Sequence, residues 1–240
     1  HPCYQSYPIF ATYFLRMRAG IDHSTRSAIA AVINRQQIIR FAGVNAIETE
    51  RFVPVHAVKK EMANAMSSYS SIHLQVPKHS SKKITSLRLS FLAPAGTVSK
   101  NIFISLKYQL EQIGIELYPR IVDRSTYFQE MRDVKYDIAF SSWIADFPNP
   151  MNFLEIFHSE SKNNRTGWKD EEYDSLITKA KKIADEKERM KLLSLAEERL
   201  LSSAVVIPLY VPRNGILIRK GIKGFVPNEM DRIVLSRVSK

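Results

Sequence analysis

The chain has 240 residues, 45% of them hydrophobic, with 35 Lys and Arg against 24 Asp and Glu and a formal net charge of +11. That apolar share is too high for a disordered chain, no run is long and apolar enough to cross a membrane as a helix, and the one cysteine, Cys3, permits neither an internal disulfide nor a Cys/His metal site. The positive charge raises nucleic-acid binding, but the basic residues are spread along helices with acidic neighbours and through one polar loop, Pro77–Lys83, without the interleaved aromatics that stack on bases.

Residues 9–16 are aromatic and β-branched and predict a strand, broken by Gly20 and Asp22. A helix is expected from an N-cap at Ser24 to Phe41, with Ala28, Ile29, Val32 and Ile33 inward and Gly43 at its end. Residues 44–84 are punctuated by Pro54 and Pro77 and predict only a short helix at 56–66. From residue 86 the pattern is regular: an alternating strand at 86–92, then a helix at 97–113 with Val98, Ile102, Leu106, Leu110 and Ile113 on one face. Gly114 ends that helix, and a strand follows at 115–122, placed at an edge or a bulge by Pro119. A helix at 124–132 capped by Asp123 and an apolar strand at 136–142 complete a βαβαβ unit, which implies parallel strands and an α/β fold.

That last strand is followed by Asp146 and then by Pro148 and Pro150, which cannot continue a ladder, so Asp146 is expected in a loop just past a strand end. Ligands bind at such places in open α/β sheets, and a lone carboxylate beside Trp143 suits a cationic group such as an amine. The competing role is an Asx-turn or a cap for the helix expected at 150–157. Helices at 170–183 and 186–202 follow, the second with a capping box of Asp185 and Glu188. Strands are expected at 204–211, interrupted by Pro208, and at 215–219, with a further short strand at 232–235. No Gly-x-Ser-x-Gly elbow, phosphate-cradling glycine loop or zinc motif is present, and no second titratable group is evident to make Asp146 an enzyme's acid or base.

The stretch Trp143-Ile-Ala-Asp-Phe-Pro-Asn-Pro150 with Phe153-Leu154 resembles the extracytoplasmic solute-binding proteins of peptide ABC transporters. Asn163-Asn-Arg-Thr-Gly-Trp168, Glu172-Tyr-Asp-Ser-Leu-Ile177, Ala196-Glu-Glu-Arg-Leu-Leu201, Val206-Ile-Pro-Leu-Tyr210 and, upstream, Thr25–Ile39 are similar to that family in the same order. The resemblance implies a periplasmic-binding-protein-like lobe with a βαβαβ core and a helical C-terminal half, one part of a two-lobed fold. Residues 1–43 would be strand and helix near the hinge, 44–200 the ligand-binding lobe, and 201–240 strands returning to the other lobe.

In that family the aspartate matching Asp146 holds a peptide's α-amino group. Trp143 beside it is a candidate to wall the pocket or stack on the ligand, the competing role being core packing at a strand end. The backbone around Ile144 and Ala145 would run beside an extended peptide. Phe140 stands where some members carry a basic residue that meets a ligand carboxylate. Asn152, Asn163, Asn164 and Trp168 are further candidates for the same cleft. The expected partners are a peptide ligand and a membrane permease, with no cofactor, no metal and no nucleic acid. The protein is expected to be a monomer and periplasmic or otherwise extracytoplasmic. Nickel, haem or glutathione as ligand, or a basic nucleic-acid-binding domain, are the alternatives. The family is longer than this chain, and the start His1-Pro-Cys-Tyr has no initiator Met or signal features, so a C-terminal fragment is expected.

Overall fold

A computed structural model describes residues 3–54, 87–225, 228, 230–233, 236, 238 and 239. In chain order the strands and helices are β1 (Cys3–Pro8), β2 (Ala11–Met17), α1 (His23–Val32), α2 (Arg35–Ala42), β3 (Ala46–Glu48), β4 (Leu87–Pro94), α3 (Thr97–Glu111), β5 (Ile115–Val122), α4 (Arg124–Arg132), β6 (Ile138–Ile144), α5 (Met151–Leu154), α6 (Glu171–Lys182), α7 (Glu186–Ser202) and β7 (Val206–Ile218). One sheet joins the strands in the order β1-β7-β2-β6-β4-β5, and β3 pairs with β7.

The βαβαβ unit read from the sequence is β4-α3-β5-α4-β6, and β4 is parallel to both β5 and β6. Parallel neighbours need long crossovers, here supplied by α3 and α4. α3 buries Ile102, Leu106 and Leu110 completely. Gly114, at φ 84°, takes the left-handed turn out of the helix that a side chain would resist. Pro119 lies on β5, the edge of the sheet, where a missing donor is tolerated. Asp123 caps α4 by accepting from the Ser125 and Thr126 amides.

Three local expectations are corrected. The helix over 24–41 is two helices, α1 and α2, because Ile33 and Asn34 are extended and the Asn34 side chain caps α2 by accepting from Gln37 N. The cap of α1 is Asp22 rather than Ser24: its carboxylate accepts from Thr25 N, and Ser24 Oγ donates to it. The strands at 204–211 and 215–219 are one strand, β7, whose first part pairs with β2 and whose second part pairs with β1. Its ladder passes Pro208 through a register shift opposite Tyr13 and Phe14, a bulge that absorbs the missing donor. β1 was not anticipated. The helix expected at 56–66, the basic loop 77–83 and residues 234 and 235 of the tail strand lie outside the described residues.

Alternate residues along each strand point to opposite faces of the sheet. Leu15, Met17, Phe91, Ile138 and Phe140 form one core with α1, α2 and α3. On the other face Phe14 joins a cluster with α5, α6 and α7, while Leu92 and Ala139 pack beneath α4.

Candidate ligand-binding site

β6 runs two residues further than the apolar pattern implied and ends at Ile144. Its ladder with β2 closes with Ala145 N donating to Phe10 O at 3.1 Å. The prolines then divert the chain, Asn149 Oδ1 accepts from Met151 N at 2.9 Å, and α5 begins. Asp146 is therefore held in a short exposed loop with anchored ends. The far anchor is aromatic: Phe153 and Phe157 meet Phe10, Phe14 and Phe52 in edge-to-face contacts, and all five are fully buried. Each such ring stabilises the fold by about 1.5–3 kcal/mol relative to leaving it in water. The loop carrying Asp146 is thus pinned by β2 at one end and by this cluster at the other.

Among the described residues the Asp146 carboxylate has neither a hydrogen-bond nor an ion-pair partner. It lines an open groove of about 610 Å³ with Trp143, Asn152, Glu155, Glu160 and Lys181. Lys181 is paired with Glu155 at 3.2 Å, which leaves Asp146 and Glu160 without an ion-pair partner among the described residues. Trp143 is half-buried, and its orientation is fixed by the indole Nε1 donating to Asn152 Oδ1 at 3.0 Å. Asn152 is buried, so its role here is to hold the tryptophan.

β6 has one open edge. β2 pairs with it along its whole length, whereas β4 pairs only with Ile138 and Ala139. Beyond Ala139, no strand among the described residues covers the β4 side. A second cleft, of about 470 Å³, lies along that side, and Phe140 and Trp143 line it. Trp143 and Asn163 are common to both clefts, so the tryptophan stands as a partition between them.

Three arginines from separate parts of the chain, Arg16, Arg124 and Arg165, also line the second cleft, and among the described residues no carboxylate does. Arg16 is 3% exposed. Its Nε donates to Ser141 Oγ at 3.3 Å and its Nη1 to Asn163 O at 3.1 Å, and the guanidinium lies over the rings of Phe14 and Phe157. Burial pushes its pKa down from the usual arginine value. Two phenols stand nearby, Tyr127 and Tyr136; burial pushes both above the ordinary tyrosine range, so neither supplies a counter-charge at neutral pH.

The remaining sequence candidates divide. Ile144 is 61% exposed at the end of β6, and Ala145 is buried with its amide bonded to Phe10. Asn164 holds a turn: its Nδ2 donates to the carbonyls of Phe157 and Trp168, and its Oδ1 accepts from Thr166 Oγ1. Trp168 packs on Tyr173 in the core. Neither Asn164 nor Trp168 lines the two clefts. The arginine lining was missed because its members are far apart in sequence. One signal was available: a charge at position 16 inside an otherwise apolar strand, on the same face as Phe14. Among the described residues no group of three or more His, Cys, Asp or Glu is placed to hold a metal ion.

Residues 4–165 match the family model of bacterial extracellular solute-binding proteins, family 5. The chain belongs to this family. The dipeptide-binding protein DppE of Bacillus subtilis (strain 168) is 32% identical over 142 residues, 59% of this chain and 26% of the relative. The periplasmic oligopeptide-binding protein OppA of Salmonella typhimurium is 26% identical over 129 residues, 53% of this chain and 24% of the relative. The fold is that of solved binding proteins. Haemophilus influenzae OppA in complex with the peptide RPPGFSPFR superposes with a TM-score of 0.76 at 19% identity, over 98% of this chain and 49% of that one. The Escherichia coli murein tripeptide binding protein MppA gives 0.75 at 20% identity, over 98% and 49%. The chain thus spans about half the length of these structures and about a quarter of the two curated relatives. The α/β lobe expected from the sequence is confirmed.

Proposed function

We propose that this family 5 chain carries the peptide-contacting face of an extracytoplasmic binding protein that delivers short peptides to an ABC importer's permease in the membrane. On this reading residues 44–200 supply most of the ligand lobe, with β2 and the first part of β7 completing its sheet, while the rest of 1–43 lies near the hinge and the rest of 201–240 returns to the other lobe. Asp146 takes the ligand's α-ammonium group, Trp143 walls the pocket, and the open edge of β6 runs alongside an extended peptide backbone. Pairing through main-chain groups gives affinity that depends little on side-chain identity.

The observation that supports this reading most is the Asp146 carboxylate, fixed at the C-terminal end of β6 with no internal partner. An internal cap or turn would engage its oxygens, and no hydrogen bond of the loop among the described residues does so. Calorimetric titration of Ala-Ala-Ala into the chain and into Asp146→Ala tests it. The variant is expected to bind on the order of tenfold or more weakly, as when one partner of a close charge pair is removed. An unchanged affinity removes Asp146 from the site.

A further inference from the structure

Past Pro212, β7 leaves the body of the sheet, and among the described residues only β1 lies beside it. Cys3–Pro8 and residues 213–218 thus form a two-stranded ribbon whose outer half is exposed, with Tyr4 at 60% and Leu217 at 71%. A lone pair of strands is marginal in water, and burial does not hold this one. We propose that a two-sided polar brace, Asn45 on one face and Asp231 on the other, locks the ribbon to the ligand lobe, so that the two move as one body and any bending lies beyond the ribbon's outer end. The brace stands on its own contacts; its bearing on lobe closure rests on the reading of the segments outside the ligand lobe as hinge and return path.

Opposed residues of an antiparallel pair share a face, and successive residues alternate. Tyr4, Ser6 and Arg213 therefore lie on one face of the ribbon, and Tyr7 and Asn214 on the other. On the first face Asn45 Nδ2 donates to Tyr4 Oη at 3.2 Å and to Ser6 Oγ at 3.1 Å, and Arg213 N donates to Asn45 O at 2.9 Å. Arg213 joins the two strands, its Nε donating to Ser6 Oγ at 2.9 Å and its Nη2 to Ser6 O at 2.7 Å. Gly215 makes room for this arrangement: a Cβ there would stand 2.5 Å from the Tyr4 hydroxyl, so glycine lets that ring lie across the ribbon toward Asn45. Asn45 immediately precedes β3, which is paired with β7 in the body of the sheet.

On the second face the Asp231 carboxylate accepts from both strands, from the Tyr7 hydroxyl and from Asn214 Nδ2 at 2.6 Å. Burial and this carboxylate push the Tyr7 phenol up to about 12, so it remains a donor at neutral pH. Asp231 has φ 57°, a left-handed conformation that few side chains other than Asn and Asp adopt readily. Asn228 fixes that turn: its carbonyl accepts from Asp231 N at 2.9 Å, and its Oδ1 accepts from the Met230 and Arg232 amides. Met230 packs against the core cluster that contains Phe153, Phe157 and Phe10. The brace therefore runs from the ribbon into the same aromatic cluster that anchors the Asp146 loop.

Cys3, at the start of β1, is exposed and is the chain's one cysteine. Spin labels on Cys3 and on Lys107→Cys, at an exposed position of α3, report the ribbon's direction through their distance distribution. The doubly labelled chain is expected to give one narrow peak. Adding Asn45→Ala/Asp231→Ala is expected to lose that peak to a broad distribution. Tyr7→Phe, which removes a single hydroxyl, is the milder variant and should broaden the peak while the Trp143 indole N–H resonance of 15N-labelled chain stays in place, showing an intact lobe. A broad distribution before any brace residue is changed, or a narrow peak that survives both variants, overturns the brace. Titration of Ala-Ala-Ala separates this outcome from the reading of Asp146. Its affinity is expected to be the same with and without the brace, because no ribbon residue lines the Asp146 groove. Failure of the peptide to bind the unmodified chain removes the Asp146 reading and leaves the distance result to decide the brace. An affinity that falls together with the narrow peak overturns the brace as a device separate from the binding face.

Discussion

Glu197 and Arg16 are both charges taken almost wholly out of water, and the protein treats them in opposite ways. Glu197, in the middle of α7, is fully buried; its carboxylate forms an ion pair with Arg51 and accepts from the amides of Phe52 and Val53 at 2.9 Å each. Every oxygen has a partner, and the result is mechanical: the segment 51–53 is tied to α7, with Phe52 lodged among the phenylalanines beneath the Asp146 loop. Arg16, on the sheet beside the second cleft, has two neutral acceptors, two aromatic faces and no counter-charge among the described residues. A closed set of partners marks a charge used for folding. Arg16's set is left open, at the wall of a cleft.

Stability measurements break or support that contrast. Glu197→Ala leaves Arg51 and two amides without their buried acceptor, and chemical denaturation is expected to show a loss of about 3–5 kcal/mol. Arg16→Met keeps the volume and removes a charge with no internal ion-pair partner, so its effect on stability is expected to stay within about 1 kcal/mol. If Arg16→Met is as damaging as Glu197→Ala, Arg16 is part of the scaffold and the contrast fails.

A smaller effect separates binding from folding on the acidic side. Asp146→Asn is expected to leave stability within about 0.5 kcal/mol, because the carboxylate is exposed and has no internal partner. The same change is expected to weaken binding of a free-amine peptide by about 2 kcal/mol. Smaller still is Trp143→Phe, which removes the bond to Asn152; a loss of about 1 kcal/mol is expected, and a cycle with Asn152→Ala should assign it to the pair.

The smallest effect is the pH response of the helix caps. Hydroxyl donation from Ser24 and Thr25 and the Thr25 amide depress the Asp22 carboxyl well below the ordinary range. A carboxylate with a depressed folded-state pKa contributes stability that is present above its unfolded value, about 3.9, and is lost as pH falls from there through the folded value. Asp22→Asn should therefore flatten the acid limb of a stability-versus-pH curve and leave the neutral region's slope unaltered.

Much of the fold was readable from the sequence because periodicity and breakers agree in β4-α3-β5-α4-β6, where Gly114 and Asp123 mark boundaries the structure shows and Pro119 marks the edge strand. The single helix over 24–41 was misjudged because apolar spacing continues across Ile33 and Asn34, while the break depends on Asn34's side chain competing for a backbone amide. The two-strand reading of β7 failed for a tertiary reason: Pro208 is accommodated by a bulge against β2 that local sequence does not reveal. Within the site, Asp146 and Trp143 stood out because they lie three residues apart in one short motif. Arg16, Arg124 and Arg165 converge only through the sheet order, and no local pattern joins them.

The most direct test compares Ala-Ala-Ala with its N-acetylated form, both titrated into the chain and into Asp146→Asn while the Trp143 indole resonance is followed. The free amine should bind the unmodified chain more tightly than the acetylated peptide does, and that difference should vanish in Asp146→Asn. Equal binding of the two peptides by the unmodified chain would contradict the assignment of Asp146 to the ligand's ammonium group.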